Sequence, residues 1–169
     1  DLSLYLSSTN PAQSLKVNND HLYVSGNGAG LIIINIQSPA SPVFVYRHDT
    51  PEQAYSIDIR GNNVYIADRR SIEVINVSNP SAPTLVSSYN QNSAEYFVRD
   101  IIIDGNYAHT SVANDGVQVL DISNISDIKV VQTMRIDVPA GRNIFNIKLS
   151  NDLLYSVSNL YFDVFQCGL

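Results

Sequence analysis

Four stretches of this sequence repeat one another, and few folds can absorb that repetition. An aromatic ring recurs between small or apolar neighbours at Tyr23, Tyr65, His109 and Tyr155, at intervals of 42, 44 and 46 residues. Ahead of each anchor stands a short alternating run and then a turn. The runs are Ser14-Leu15-Lys16-Val17, Ser56-Ile57-Asp58-Ile59, Asp100-Ile101-Ile102-Ile103 and Asn146-Ile147-Lys148-Leu149. The turns are Asn19-Asp20, Gly61-Asn62, Gly105-Asn106 and Asn151-Asp152. Such pairs favour the left-handed backbone of a tight hairpin.

The second half of each unit repeats as well. Leu31 to Ile36, Ile72 to Val77 and Val117 to Ile122 are a third apolar run, each followed by a Ser- and Asn-rich turn that carries prolines in the first two units. A fourth run follows at Val43 to Tyr46, Thr84 to Tyr89 and Ile128 to Val131. Val, Ile and Tyr suit pleated strands, and the prolines bar a helix from the third connection. No window sustains apolar spacing at the helical period. Four strands in a unit of about 40–45 residues is the blade of a β-propeller. The expected fold is all-β, a propeller of four four-stranded blades, with repeats near 12–53, 54–95 and 96–142 and a last one from 143–169 plus 1–8.

That last repeat lacks its fourth strand, and the chain opens on an unassigned one, Leu2-Ser3-Leu4-Tyr5-Leu6. The expectation is that the leading strand completes the last blade and closes the ring, which would protect two sheet edges. An arc of a larger ring is the rival architecture.

Composition narrows the function classes. Apolar residues make up 44% and charged residues 15%, which is the opposite of a disordered chain. Ten basic against sixteen acidic side chains give a net charge of −6, the wrong sign for a nucleic-acid binder. No apolar run approaches the roughly 18 residues of a membrane-spanning helix, and no signal peptide is visible. The single cysteine, Cys167, cannot form an internal disulfide. Asn76-Val77-Ser78 and Asn124-Ile125-Ser126 match the glycosylation pattern, which has meaning only where the machinery exists.

The third run and its turn resemble the LVIVD-repeat family. Ile72 to Val77 with Ser78-Asn79-Pro80-Ser81-Ala82-Pro83 carries the resemblance most fully. Leu31 to Ile36 with Gln37-Ser38-Pro39 comes next, and Val117 to Ile122 keeps the aspartate without the prolines. Val64-Tyr65-Ile66-Ala67-Asp68 is also similar to the Tyr-Val-Thr-Asn repeats of surface propellers. Both resemblances imply export and residence at the cell surface, in the periplasm or outside the cell. Neither implies catalysis or a cofactor, and fold likeness does not carry function.

The site residues follow from the blade geometry. The innermost strands of a propeller line its axis, so Ser14, Ser56, Asp100 and Asn146 should form one ring. Lys16, Asp58, Ile102 and Lys148 should form the next, with the aliphatic residues between them on the other face. Such a channel holds water or a small ion, or its lysines and Asp58 neutralise one another. On the rim, Arg69 and Arg70, with Asp115, Arg142 and Tyr55, form the expected contact patch, because Arg and Tyr are enriched where proteins meet. Tyr55, Arg99 and Phe145 occupy equivalent loop exits, and Gln13 is the fourth. His21, His48 and His109 fall in different parts of their units, so no metal site is expected. Gly26 to Gly30 lacks the ending of a phosphate loop and reads as a flexible connection.

The expected function is therefore a non-catalytic extracytoplasmic interaction or structural module. Its partner is another protein or an identical subunit, not nucleic acid, and it has no transmembrane segment. The alternatives are a ligand or ion receptor, or an enzyme, working at the channel mouth. A glycan binder is disfavoured by the absence of tryptophan.

Overall fold

The computed structural model describes residues 7–90, 97–113, 116–135, 144–158 and 162–166. Fifteen strands occur among them. Blade one is β1 (Ser14–Asn18), β2 (His21–Ser25), β3 (Leu31–Asn35) and β4 (Val43–His48). Blade two is β5 (Ala54–Arg60), β6 (Asn63–Asp68), β7 (Ser71–Asn76) and β8 (Thr84–Asn90). Blade three is β9 (Val98–Asp104), β10 (Tyr107–Val112), β11 (Gly116–Asp121) and β12 (Lys129–Met134). Blade four shows β13 (Ile144–Ser150), β14 (Leu153–Ser158) and β15 (Phe162–Gln166). Every sheet is a meander in chain order, with all neighbours antiparallel. The described residues contain no helix long and apolar enough to cross a membrane. Residues 1–6, and with them the expected closing strand, lie outside the described residues.

The hairpins follow from their turn residues. Asn18 pairs with His21, Arg60 with Asn63, Asp104 with Tyr107 and Ser150 with Leu153, so each first loop has two residues. Positive φ falls at Asn19, Gly61, Gly105, Asn151 and Asp152, where these residue types tolerate it. The turn after the third strand is equally local in origin. The side chains of Asn35, Asn76 and Asp121 each accept a hydrogen bond from the backbone N–H two residues on, at 2.9, 3.1 and 2.8 Å. The polar residue that ends the Ile-rich run is therefore a turn-former, and it recurs because each blade needs the same turn.

Blades one and two bury Leu31, Ile33, Ile57, Val64, Ile66 and Ile75 between them. Blades two and three bury Tyr65, Ile72, Val74, Ile101, Leu120 and Ile122. Blades three and four bury Val117, Val119, Ile144, Ile147 and Leu154. Full burial of one such aliphatic side chain is worth about 1.5–3 kcal/mol, so these three interfaces dominate stability. The inner-strand aliphatics do not all share this fate. Ile57 and Ile101 are sealed, whereas Leu15 and Val17 are 61% and 60% exposed. Their face points away from blade two, and the matching face of blade four exposes Val157, Phe162 and Val164. Among the described residues those two faces do not cover one another.

The connection Gly26 to Gly30, expected to be flexible, is tied down. Asn27 exchanges two backbone hydrogen bonds with Ala54 of blade two, at 3.1 and 3.0 Å. Gly30 adopts φ +71°, and a Cβ there would lie 2.2 Å from the His48 carbonyl oxygen. Only glycine fits that approach.

Candidate functional site: the axial channel and its mouth

The four inner strands converge on one cavity of about 310 Å³. Its inner ring is Ser14, Ser56, Asp100 and Asn146, the quartet expected from the repeat. Its outer ring is Gln13, Tyr55, Arg99 and Phe145. The outer ring has a structural cause. In blades two, three and four the pairing of first and second strand slips by one residue between Ala54 and Ser56, between Val98 and Asp100, and between Ile144 and Asn146. The extra residues are Tyr55, Arg99 and Phe145. A β-bulge re-aims the side chain it inserts, and three blades use the same bulge to turn one large residue onto the mouth.

The inner ring is knitted together. Asp100 is 8% exposed. Its Oδ1 accepts from the Ser56 hydroxyl of blade two at 2.6 Å and from its own neighbour's N–H, Ile101, at 3.0 Å. Its Oδ2 accepts from the Ile147 N–H of blade four at 2.9 Å. One carboxylate thus joins three blades. Asp58 does the same one step along the axis. Its Oδ1 meets Lys16 Nζ of blade one at 2.9 Å, and its Oδ2 accepts from the Ile103 N–H of blade three at 2.8 Å. Lys148 is the exposed member of that second ring, and Ile102 packs toward the interface of blades three and four. The Asp100 carboxylate oxygens, where a small ion in the channel would find its ligands, are engaged by hydroxyl and backbone donors. Among the described residues no three His, Cys, Asp or Glu side chains gather into a metal-binding group.

The mouth is built differently. The Arg99 guanidinium carbon lies 5.2 Å from the Tyr55 ring centre, 4.9 Å from Phe97 and 5.0 Å from Phe145. Arg69 approaches Phe97 at 5.1 Å, and Tyr55 and Phe97 are 5.5 Å apart. Cation–π contacts of this kind are worth about 0.5–1 kcal/mol each where partly exposed. Arg69 and Arg70 share Glu52 at 3.5 and 3.8 Å, and the Tyr55 hydroxyl donates to Gln53 at 2.6 Å. The structure therefore brings Arg69, Arg70 and Tyr55 to one rim, as the patch requires. Asp115 and Arg142, the other two members, lie outside the described residues. Phe97 is the residue that the repeat did not reveal: its equivalent in blade two is Gln53, so no periodic pattern marks it.

Behind this rim sits a second buried acid. Asp68, fully buried at the end of β6, accepts the Glu52 N–H at 3.0 Å. Burial pushes its carboxyl up to about 6, and Glu73 and Glu52 push the same way, against the nearby Thr50 hydroxyl and the hydrogen bond from the Glu52 backbone. Among the histidines, His109 is buried in β10 in the place of the repeat's tyrosine, and burial lowers its pKa. His48 lies 3.9 Å from Glu73, and His21 stands beside the first hairpin turn.

Antiparallel meander sheets set around a polar axis, with each inner strand contributing to one cavity, define a β-propeller. Solved structures agree. The computationally designed Ika4 protein superposes with a TM-score of 0.71 at 9% identity, over 96% of this chain and 94% of that one. The β-propeller domain of Myceliophteria thermophila Cps50 (Swd1) gives 0.72 at 13%, over 94% and 54%. The computationally designed Ika8 protein gives 0.68 at 10%, over 93% and 46%. The chain thus spans about half of the latter two, and identities this low show the fold alone. The LVIVD repeat matches three times, at residues 11–50, 52–91 and 97–135, and the chain belongs to the LVIVD repeat family. No curated protein sequence matches it.

Proposed function

We propose that this propeller is a non-catalytic, extracytoplasmic interaction or structural module whose contact surface is the axial mouth with its Arg69–Arg70 rim. One observation carries the reading. Two arginines and three aromatic rings are gathered at the mouth, three of the five on bulges of inner strands that cannot move without disturbing a buried sheet. Arg and aromatic residues dominate interface hot spots, and rigid presentation lowers the entropy cost of binding. The channel acids support the same reading, because Asp58 and Asp100 spend their oxygens on joining blades. Export is supported by the likeness to surface propellers of the Tyr-Val-Thr-Asn type.

The test is site-specific photo-crosslinking in the native source. A crosslinker at Arg70 should capture a partner protein or a second copy, and Arg69→Ala should weaken that capture while lowering the melting temperature by no more than about 2–4 °C, the cost of one cation–π contact and a partly exposed ion pair. Capture from the outer strands β4 and β8 in place of the mouth overturns the assignment of the surface. Fractionation of the source cells checks the compartment, and a wholly cytoplasmic pool overturns it.

A further inference from the structure

We infer that the axial mouth is a carboxylate-binding site, in which the guanidinium of Arg99 receives a monoanionic carboxylate at the open end of the channel. The inference rests on the reading of the mouth as the interaction surface and names the chemistry recognised there.

The first argument is what holds Arg99 in place. Four other arginines have an oxygen partner, although the Arg69 Nε is itself unpartnered. Arg47 binds Asp49 and the Ala29 carbonyl, Arg60 donates to Asn106, and Arg69 and Arg70 meet Glu52. Among the described residues Arg99 makes no ion pair, and its Nε is sealed from solvent with no hydrogen-bond partner. It is fixed by three rings instead. A ring face engages the guanidinium electrostatically and leaves its N–H donors unspent. An arginine that is positioned yet unsaturated is prepared for a planar anion, which accepts two parallel hydrogen bonds from the fork.

The second argument is the cavity. About 310 Å³ is at the small end of ligand sites, so it takes a small acid or the tip of an acidic side chain. Gln13, Ser14 and Asn146 line it and offer neutral donors. Asp100 also lines it and limits the charge admitted. Its own negative charge, though held by three donors, disfavours a phosphate-like dianion a few ångströms away. A singly charged carboxylate meets one guanidinium with less repulsion.

The third argument is placement. The whole chain carries −6, yet Arg69, Arg70 and Arg99 share this rim, with Glu52 contacting only the first two. Guanidinium groups gathered at one rim draw anions toward it.

Two sources of carboxylate fit this chemistry, a free small acid and an acidic side chain of a partner, and the test separates them. Nitrogen-15 spectra of arginine side chains are recorded on the purified chain during titration with acetate, with an acetylated and amidated Gly-Ser peptide carrying one Glu, and with sulfate. Acetate should shift the Arg99 Nε–H resonance saturably. Arg99→Met should weaken binding by about tenfold or more, the usual loss for a charged hydrogen-bond pair. Arg99→Lys, which keeps the charge without the fork, should fall between. Peptide binding tighter than acetate assigns the site to an acidic side chain, and equal binding assigns it to a free acid. The inference is overturned if acetate gives no saturable shift on the wild-type chain, if Arg99→Lys binds as the wild type does, or if sulfate binds as tightly. Crosslinking at Arg70 keeps the two readings apart: capture that persists while acetate fails removes the carboxylate and leaves the module.

Discussion

The inner ring of the channel and the mouth above it lie on the same four strands, one residue apart, yet they handle charge in opposite ways. Along the channel the two acids, Asp100 and Asp58, accept from donors of neighbouring blades and of their own strands, and they act as joints. At the mouth the bulged residues put an arginine among rings and leave it without an ion pair or a partner for its Nε among the described residues. A buried charge without partners is costly, so saturation marks a structural role. A half-buried cation held over ring faces is partly compensated by them, and its unspent donors remain for a ligand. The sign of the charge alone would not have separated these roles.

That contrast can be broken by substitution. The largest effect should come from Asp100→Ala, which strands the Ile101 and Ile147 N–H groups and the Ser56 hydroxyl in a buried ring. The expected loss is about 3–4 kcal/mol, seen in calorimetry as a melting temperature lower by roughly 10 °C. A drop of only a degree or two would mean that the blades are not joined there.

Asp68→Asn should act in the other direction. Its folded carboxyl titrates near 6 against an ordinary 3.8, so as pH rises between these values the unfolded chain ionises and the folded chain resists. Wild-type stability from this group therefore falls through that window and levels above it. The amide removes the penalty, and the variant's advantage over wild type should grow by about 2–3 kcal/mol between pH 4 and pH 7. Parallel pH–stability curves for the two proteins would refute the buried-acid assignment.

Arg99→Met should be the mildest, within about 1 kcal/mol of wild type by denaturant unfolding, since it loses only partly exposed cation–π contacts and keeps an apolar stem among the rings. A loss as large as that of Asp100→Ala would make Arg99 another joint and erase the distinction between the two rings.

Much of this was legible from residue spacing. The anchors at 23, 65, 109 and 155 imply equivalent positions around an axis, and the quartet of Ser14, Ser56, Asp100 and Asn146 meets there as expected. The rim placement of Arg69, Arg70 and Tyr55 followed from the same phase. The bonds made by Asp100 did not, because the N–H of Ile147 lies on another blade and every residue has an N–H. Phe97 was hidden for a different reason. It belongs to one blade only, and periodicity is blind to what does not repeat.

The sequence by itself determined the blade: alternation sets the strand faces, Gly-Asn and Asn-Asp set the hairpins, and the polar residue that ends the third strand sets its turn. These are local rules, acting within a few residues. Only the tertiary structure decided which polar groups are consumed and which remain open, because that depends on donors brought from neighbouring blades. The exposure of Leu15 and Val17 belongs to the same class. An apolar residue on a strand declares a face to be covered, and packing alone decides whether a neighbour arrives to cover it.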